Sequence, residues 1–245
     1  MKERPDYFPR ILAKSAMGGS ISTGGRPSRF LLFESINDKN WSQKNFMKRW
    51  SGEIDFQTQQ MREIRWVFAQ HKQEAITSHK EAYDAGHRIS TLVDMDADTT
   101  GKKVKDAKSI HTTTPACTLW TMQFVDGNGN LIRDNLNAFI KSQLPNSDES
   151  KISEIAIKTV DLSMKRLVKE DRYSEHKFDK KGWLNPINDH DLCDAIIKEL
   201  GADKKKQVER AMRDSALEDK NGLIRDLFRK MFNSVFADDG PHSRL

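Results

Sequence analysis

The sequence is poor in cysteine. It has two in 245 residues, Cys117 and Cys193, and they form no C-x-x-C pair. That excludes a disulfide framework and suits a reducing compartment. Long apolar runs are missing too: Phe30-Leu-Leu-Phe33 falls far short of the roughly 20 residues that cross a bilayer. No internal repeat recurs, and no P-loop, G-x-G-x-x-G or Ser-His-Asp order can be read. The opening stretch, MKERPDYFPRIL, mixes charge and proline where a signal peptide needs an apolar core. These absences lead to the expectation of a cytoplasmic, soluble protein with no membrane contact.

Charge is what the chain has in quantity. Charged residues make up 31% and hydrophobic residues 36%, an ionic surface over enough apolar material for a core. Lys plus Arg outnumber Asp plus Glu by 41 to 36, for a net charge of +5. So small an excess permits a polyanionic partner without demanding one; where the charges cluster matters more than their total.

The hydrophobic pattern divides the chain into a flexible N-terminal arm (1–29), an α+β subdomain (30–145) and a helical C-terminal subdomain (146–245). RFLLFES reads as a short strand and HRISTLVDM as another. Between them, Met61, Ile64, Phe68, Ala75 and Tyr83 keep near one face of a helix expected from Ile54 to Gly86. From Cys117 to Asp134 apolar and polar residues alternate up to Gly-Asn-Gly, as in a β-hairpin. Beyond Asn135 the pattern is helical, with Ser147 or Asp148 and then Asn188 as N-caps. The last helix, about Gly222 to Phe236, carries a wide apolar face that includes Phe228 and Phe232. The expected fold is α+β: predominantly helical, with a small antiparallel sheet in the N-terminal half and a helical C-terminal part.

Chemistry concentrates in Thr91-Leu-Val-Asp-Met-Asp-Ala-Asp-Thr-Thr100. Asp94, Asp96 and Asp98 occupy the first three ligand positions of an EF-hand, but Thr99 stands where its glycine belongs and Lys105 where its closing Glu belongs. Asp126 opens a second such run, which fails in the same way at Leu131 and Asn137. On a strand, Asp94 and Asp96 share one side, an arrangement that can hold divalent metal for phosphoryl transfer. The order Asp94-x-Asp96, Ser109-x-His111, then Asp126 after Val125 resembles the archaeo-eukaryotic primases. That resemblance implies Mg2+-dependent nucleotidyl transfer using Asp94, Asp96, Asp126 and His111, although Ser109-x-His111 follows the acids closely for that family. Asp96-Ala-Asp98-Thr99-Thr100 resembles the haloacid-dehalogenase-like phosphatases, which require an α/β sheet after the motif. The plainer reading is an acidic loop with Lys102, Lys103 and Lys105 as counter-charge and no metal.

A second pattern is basic. A helix ending at Gly201, a turn, and a helix opened by Lys204, Lys205 and Lys206 and continued by Arg210 and Arg213 resemble a helix-turn-helix, with Val208 one place late. Arg225, Arg229 and Lys230 extend the basic residues, and Lys48-Arg49-Trp50, Arg65-Trp66 and Lys181-Gly182-Trp183 set cations beside flat rings. His190-x-x-Cys193 with His111 and Cys117 offers four zinc-type ligands, against the ordinary reading of buried thiols. The foremost expectation is a non-catalytic nucleic-acid-binding protein without cofactor, for DNA or RNA, within a larger assembly. Protein partners would meet the C-terminal helix and the N-terminal arm. A Mg2+-dependent nucleotidyl-transfer or nuclease enzyme is the alternative, and a structural assembly subunit the third reading.

Overall fold

A computed structural model of the chain describes residues 6–16, 29–46, 64–95, 104, 107–114, 117–171 and 187–236, with backbone alone at 15, 16 and 167–171. The helices are α1 (Phe8–Ala16), α2 (Ile36–Asn45), α3 (Lys72–Asp84), α4 (Arg133–Gln143), α5 (Glu149–Asp171), α6 (Asp189–Leu200), α7 (Lys205–Ala216) and α8 (Leu223–Phe236). The strands are β1 (Arg29–Phe33), β2 (Ile64–Phe68), β3 (Arg88–Val93) and β4 (Ile110–Thr112). Two compact units form. One comprises Met1–Val93, Lys103–His111 and Arg225–Leu245, the other Asp94–Lys102 and Thr112–Ile224.

The first unit is built on a four-stranded sheet in the order β2-β1-β3-β4. All four strands are parallel, which corrects the expected antiparallel sheet. The composition explains it. Phe30 to Phe33 of β1 and Ile89 to Val93 of β3 are buried without a break, as in strands covered on both faces. Alternate residues feed two layers. Phe30, Leu32, Val67 and Ile89 pack with Phe8 and Ile11 of α1 and with Ala75, Ile76 and Ala82 of α3. Among the remaining residues, Phe33 stacks on Trp66 at 5.7 Å, while Phe46, just after α2, stacks on Phe232 of α8 at 4.3 Å.

Two further expectations fail for physical reasons. In the expected hairpin, Thr121–Phe124 is a 3-10 helix, and Val125 with Leu131 makes an isolated antiparallel bridge. Both alternating sets are buried, Thr121 and Gln123 as well as Trp120, Met122 and Phe124, so the pattern had no solvent face to set a strand. Within the expected helix from Ile54 to Gly86, Ile64–Phe68 is β2 and the helix starts at Lys72, capped by the His71 side chain. The bulky run Trp66-Val67-Phe68 favours a buried strand over a helix turn; residues 54–63 lie outside the described part. Helix α1 falls inside the stretch expected to be a flexible arm, and its Phe8 is fully buried; the Gly/Ser run 17–28 lies outside the described residues.

The second unit is helical. Asp148 accepts the Lys151 N–H at 2.8 Å at the start of α5, and Asn188 caps α6 by accepting from His190 at 2.9 Å. Arg166 of α5 grips buried Asp191 of α6 through both carboxylate oxygens at 2.6–3.1 Å. Helix α6 ends at Gly201, whose φ of +103° favours glycine and where an added Cβ would lie only 2.9 Å from Asp203 Oδ1. Helix α7 then buries Val208, Met212 and Ala216. Among the described residues no helix is long and apolar enough to cross a membrane.

Candidate functional site

In open parallel sheets, ligands bind beyond the carboxyl ends of neighbouring strands whose onward connections diverge. Here β1 and β3 are those neighbours: β1 leads through α2 to β2 on one side, and β3 leads to β4 on the other. Parallel register pairs Phe33 with Leu92 at their ends. The next residues along the chain are Glu34 after β1, and Asp94-Met95-Asp96 after β3. In the sequence, each strand is followed by an acid. Ser35 follows Glu34 and caps α2, its hydroxyl accepting the Asp38 N–H at 3.1 Å, so a helix N-terminus also opens at this edge.

The acidic segment is held by backbone bonds of its own. Asp94 Oδ1 accepts the Leu119 N–H at 3.0 Å. The Met95 N–H donates to Thr113 Oγ1 at 2.8 Å, and that hydroxyl donates to the Cys117 carbonyl at 2.7 Å. Asp96 and Asp98 lie outside the described residues. Among those described, no group of three or more His, Cys, Asp or Glu side chains is gathered as a metal ion would require. Glu34 was missed in the sequence reading. Its signal was an acid directly after the apolar run Phe30–Phe33, the same sequence of types that marks Asp94 after Thr91-Leu-Val.

Other candidates have structural work. Asp126 accepts from the Asn128 and Asn130 N–H groups and from the Asn130 amide at 2.8–2.9 Å, bonds that hold its carboxyl below the usual range and build a tight turn. Ser109 adopts φ +62° ahead of β4, and His111 Nε2 lies 2.9 Å from Ser234 Oγ. Burial, with Lys230 adding, pushes the His111 imidazole down to about 4. Cys117 and Cys193 are buried thiols, each pushed up to about 12 by that burial.

The basic residues are exposed but locally matched. Lys204 pairs with Asp203 at 3.4 Å, Lys205 with Asp194 at 3.5 Å and Arg210 with Asp214 at 3.6 Å. The Arg213 guanidinium lies 4.4 Å over the Trp120 ring. Lys206 is exposed on α7. On α8, Arg229 pairs with Asp226 at 2.5 Å, Lys230 is exposed and Arg225 is half-buried. Of the tryptophans beside cations, Trp66 belongs to the core and Trp50 and Trp183 lie outside the described residues. Phe228 and Phe232, expected on a partner-facing or packing helix, are fully buried in the first unit, against Phe46 and Trp66.

Compared with known proteins, the chain matches no protein-family model, no curated protein and no solved structure.

Proposed function

We propose that the protein is a Mg2+-dependent enzyme of the nucleotidyl-transfer or nuclease class. In this reading Asp94 and Asp96 are metal ligands. One observation supports it: β3 lies beside β1 where their onward connections diverge, and in the sequence β3 runs directly into Asp94-Met95-Asp96. A bound Mg2+ lowers the pKa of its water and stabilises charge on a phosphoryl oxygen. The chain's own part is to hold the carboxylates. The hydrogen bond from Leu119 to Asp94 and that from Met95 to Thr113 fix the start of the acidic segment.

The exposed face of α7, with Lys204, Lys205, Lys206 and Arg210, supports nucleic acid as the substrate. It also supports the second reading, a nucleic-acid-binding protein without catalysis. Incubation of labelled DNA and RNA, single- and double-stranded, with Mg2+ or Mn2+ separates the two. The enzyme reading expects metal-dependent cleavage or extension that falls at least about 100-fold in Asp94→Asn and Asp96→Asn, with the fold retained. It also expects a metal-induced rise in melting temperature that these variants lose. Binding without turnover or metal stabilisation overturns it in favour of the second.

A further inference from the structure

The second unit holds a cavity of about 460 Å3, a volume within the range of small-molecule sites. It opens between the 3-10 helix Thr121–Phe124, α4, α7 and the turn after α7, all within that one unit. Phe124 and Phe139, with ring centroids 5.5 Å apart, give it apolar walls together with Ala138 and Ala211. One buried residue fixes the polar walls. Gln123, 8% exposed, donates from Nε2 to the Trp120 carbonyl at 2.8 Å and to the Met212 carbonyl at 3.2 Å. Its Oε1 accepts from the Ser215 hydroxyl at 2.6 Å, and its main-chain carbonyl accepts from the Asn135 amide at 3.0 Å. A single glutamine thus ties both α4 and α7 to the 3-10 helix.

The placement of protons decides what this cavity can bind. Both Gln123 N–H groups and the Ser215 proton are spent inside the wall. The Ser142 hydroxyl donates to the Phe139 carbonyl at 2.6 Å, and Gln143 donates one N–H to Ser142 at 3.0 Å. The side-chain donors left are one N–H each on Asn135 and Gln143, and the Lys220 ammonium, itself 3.2 Å from Glu218. Acceptors are in excess: the Asn135 and Gln143 side-chain carbonyls, the Ser215 oxygen and the carboxylates of Asp214 and Glu218. Arg210 meets Asp214 at 3.6 Å, and both that pair and the Lys220–Glu218 pair are exposed enough to open at little cost. We infer that the cavity binds a small organic cation rich in N–H donors, a guanidinium or an ammonium on a short apolar body. The head group meets the excess acceptors, and the body lies on the alanine and phenylalanine walls. An anion finds two carboxylates and few donors there. The cavity shares no residue with the acidic segment of the proposed enzyme, so it stands whether or not that segment holds metal.

The test titrates the full chain with probes that share a butyl chain: butylguanidinium, butylammonium, butanol and pentanoate. Proton–nitrogen NMR follows the side-chain amides of Asn135 and Gln143. Butylguanidinium should shift both amides with a dissociation constant of about 1 mM, the scale for so few atoms. Butanol should bind at least about tenfold more weakly, and pentanoate not at all. Asp214→Asn combined with Glu218→Gln, both at exposed positions, should keep the fold and weaken butylguanidinium by about tenfold. Lys220→Met frees Glu218 and should tighten binding by about twofold. Ala138→Trp, at an exposed position of α4, should fill the cavity and abolish the shifts. If that variant does not fold, the double acid variant decides. Butanol or pentanoate binding as tightly as butylguanidinium overturns the cationic ligand, as does unchanged affinity in the double acid variant. Shifts that survive in a folded Ala138→Trp mean attraction to the surface and overturn the cavity site. So does the absence of any shift in either amide at about 50 mM butylguanidinium.

Discussion

The carboxyl edge of the sheet and the exposed face of α7 both carry charge, and the two differ in how that charge is held. On α7, Lys204, Lys205 and Arg210 each have an acid within 3.4–3.6 Å, on the same helix, its preceding turn or α6. Such pairs between exposed side chains gain little and rearrange freely. Beyond β3, Asp94 accepts a backbone N–H from Leu119. A helix face spreads charge into water. A strand end fixes it where neighbouring strands must deliver theirs. The lesson is that the count of charges ranks α7 first, whereas the topology ranks the sheet edge first.

The comparison depends on the sheet being a rigid support, and the sharpest way to break it is through the core beneath. Phe232 is fully buried, stacked on Phe46 at 4.3 Å and edge-on to Trp66 at 5.9 Å. Phe232→Ala should cost about 3–5 kcal/mol in denaturant unfolding. A loss below about 1 kcal/mol would mean that the last helix is not part of the support, and would return its apolar face to the partner reading.

Acid should discriminate the units next. Burial pushes the His79 imidazole down to about 4 from its ordinary 6.5. Between those values the unfolded chain binds more protons than the folded one. Stability from His79 is therefore complete above about pH 6.5 and drains as pH falls toward 4, by up to about 3 kcal/mol. His111, also pushed down to about 4, acts in the same direction in the same unit. Asp189 in the second unit acts the other way, because burial raises its carboxyl and acid suits its neutral form. Hydrogen exchange followed from pH 7 to pH 4.5 should show protection lost first in β3 and α3. His79→Phe should flatten the fall in melting temperature over that window; an unchanged slope removes His79 as its cause.

Much of this was legible in particular residues. Asp148 and Asn188 announce helix starts by type, and the last helix appears in its seven apolar residues because its period is undisturbed. β1 and β3 were legible as strands but not as a parallel pair. Parallel pairing joins residues such as Phe33 and Leu92 across long stretches of chain, and one sequence holds no local signal for it. The hairpin expected at Cys117–Asp134 misled because alternation marks a strand only when one face meets water, and here neither does. At the candidate site, Asp94 and Asp96 stood out in the sequence as paired acids after a strand, and the structure describes the first of them. His111 and Asp126 matched a motif in order, yet each side chain is engaged by its own surroundings, Ser234 in one case and the Asn128–Asn130 turn in the other.

The gentlest test touches α7 itself. Replacing Lys204, Lys205 and Lys206 with Ala removes three exposed charges, two of them in long ion pairs. None belongs to the buried face formed by Val208, Met212 and Ala216. The melting temperature should hardly move, since exposed pairs of this length add little to stability. Nucleic-acid affinity is the informative readout. If these lysines neutralise phosphates, the slope of log K against log salt should flatten by about three, roughly one for each contact, whatever the sequence of the DNA or RNA. Metal-dependent turnover at saturating substrate should stay near wild type, because the change removes attraction and leaves Asp94 and Asp96 in place. A triple variant with an unchanged salt slope takes α7 out of the interface. One that binds less and also loses its turnover at saturation would show that the basic helix and the acidic edge act as a single site, and the contrast between them would then be false.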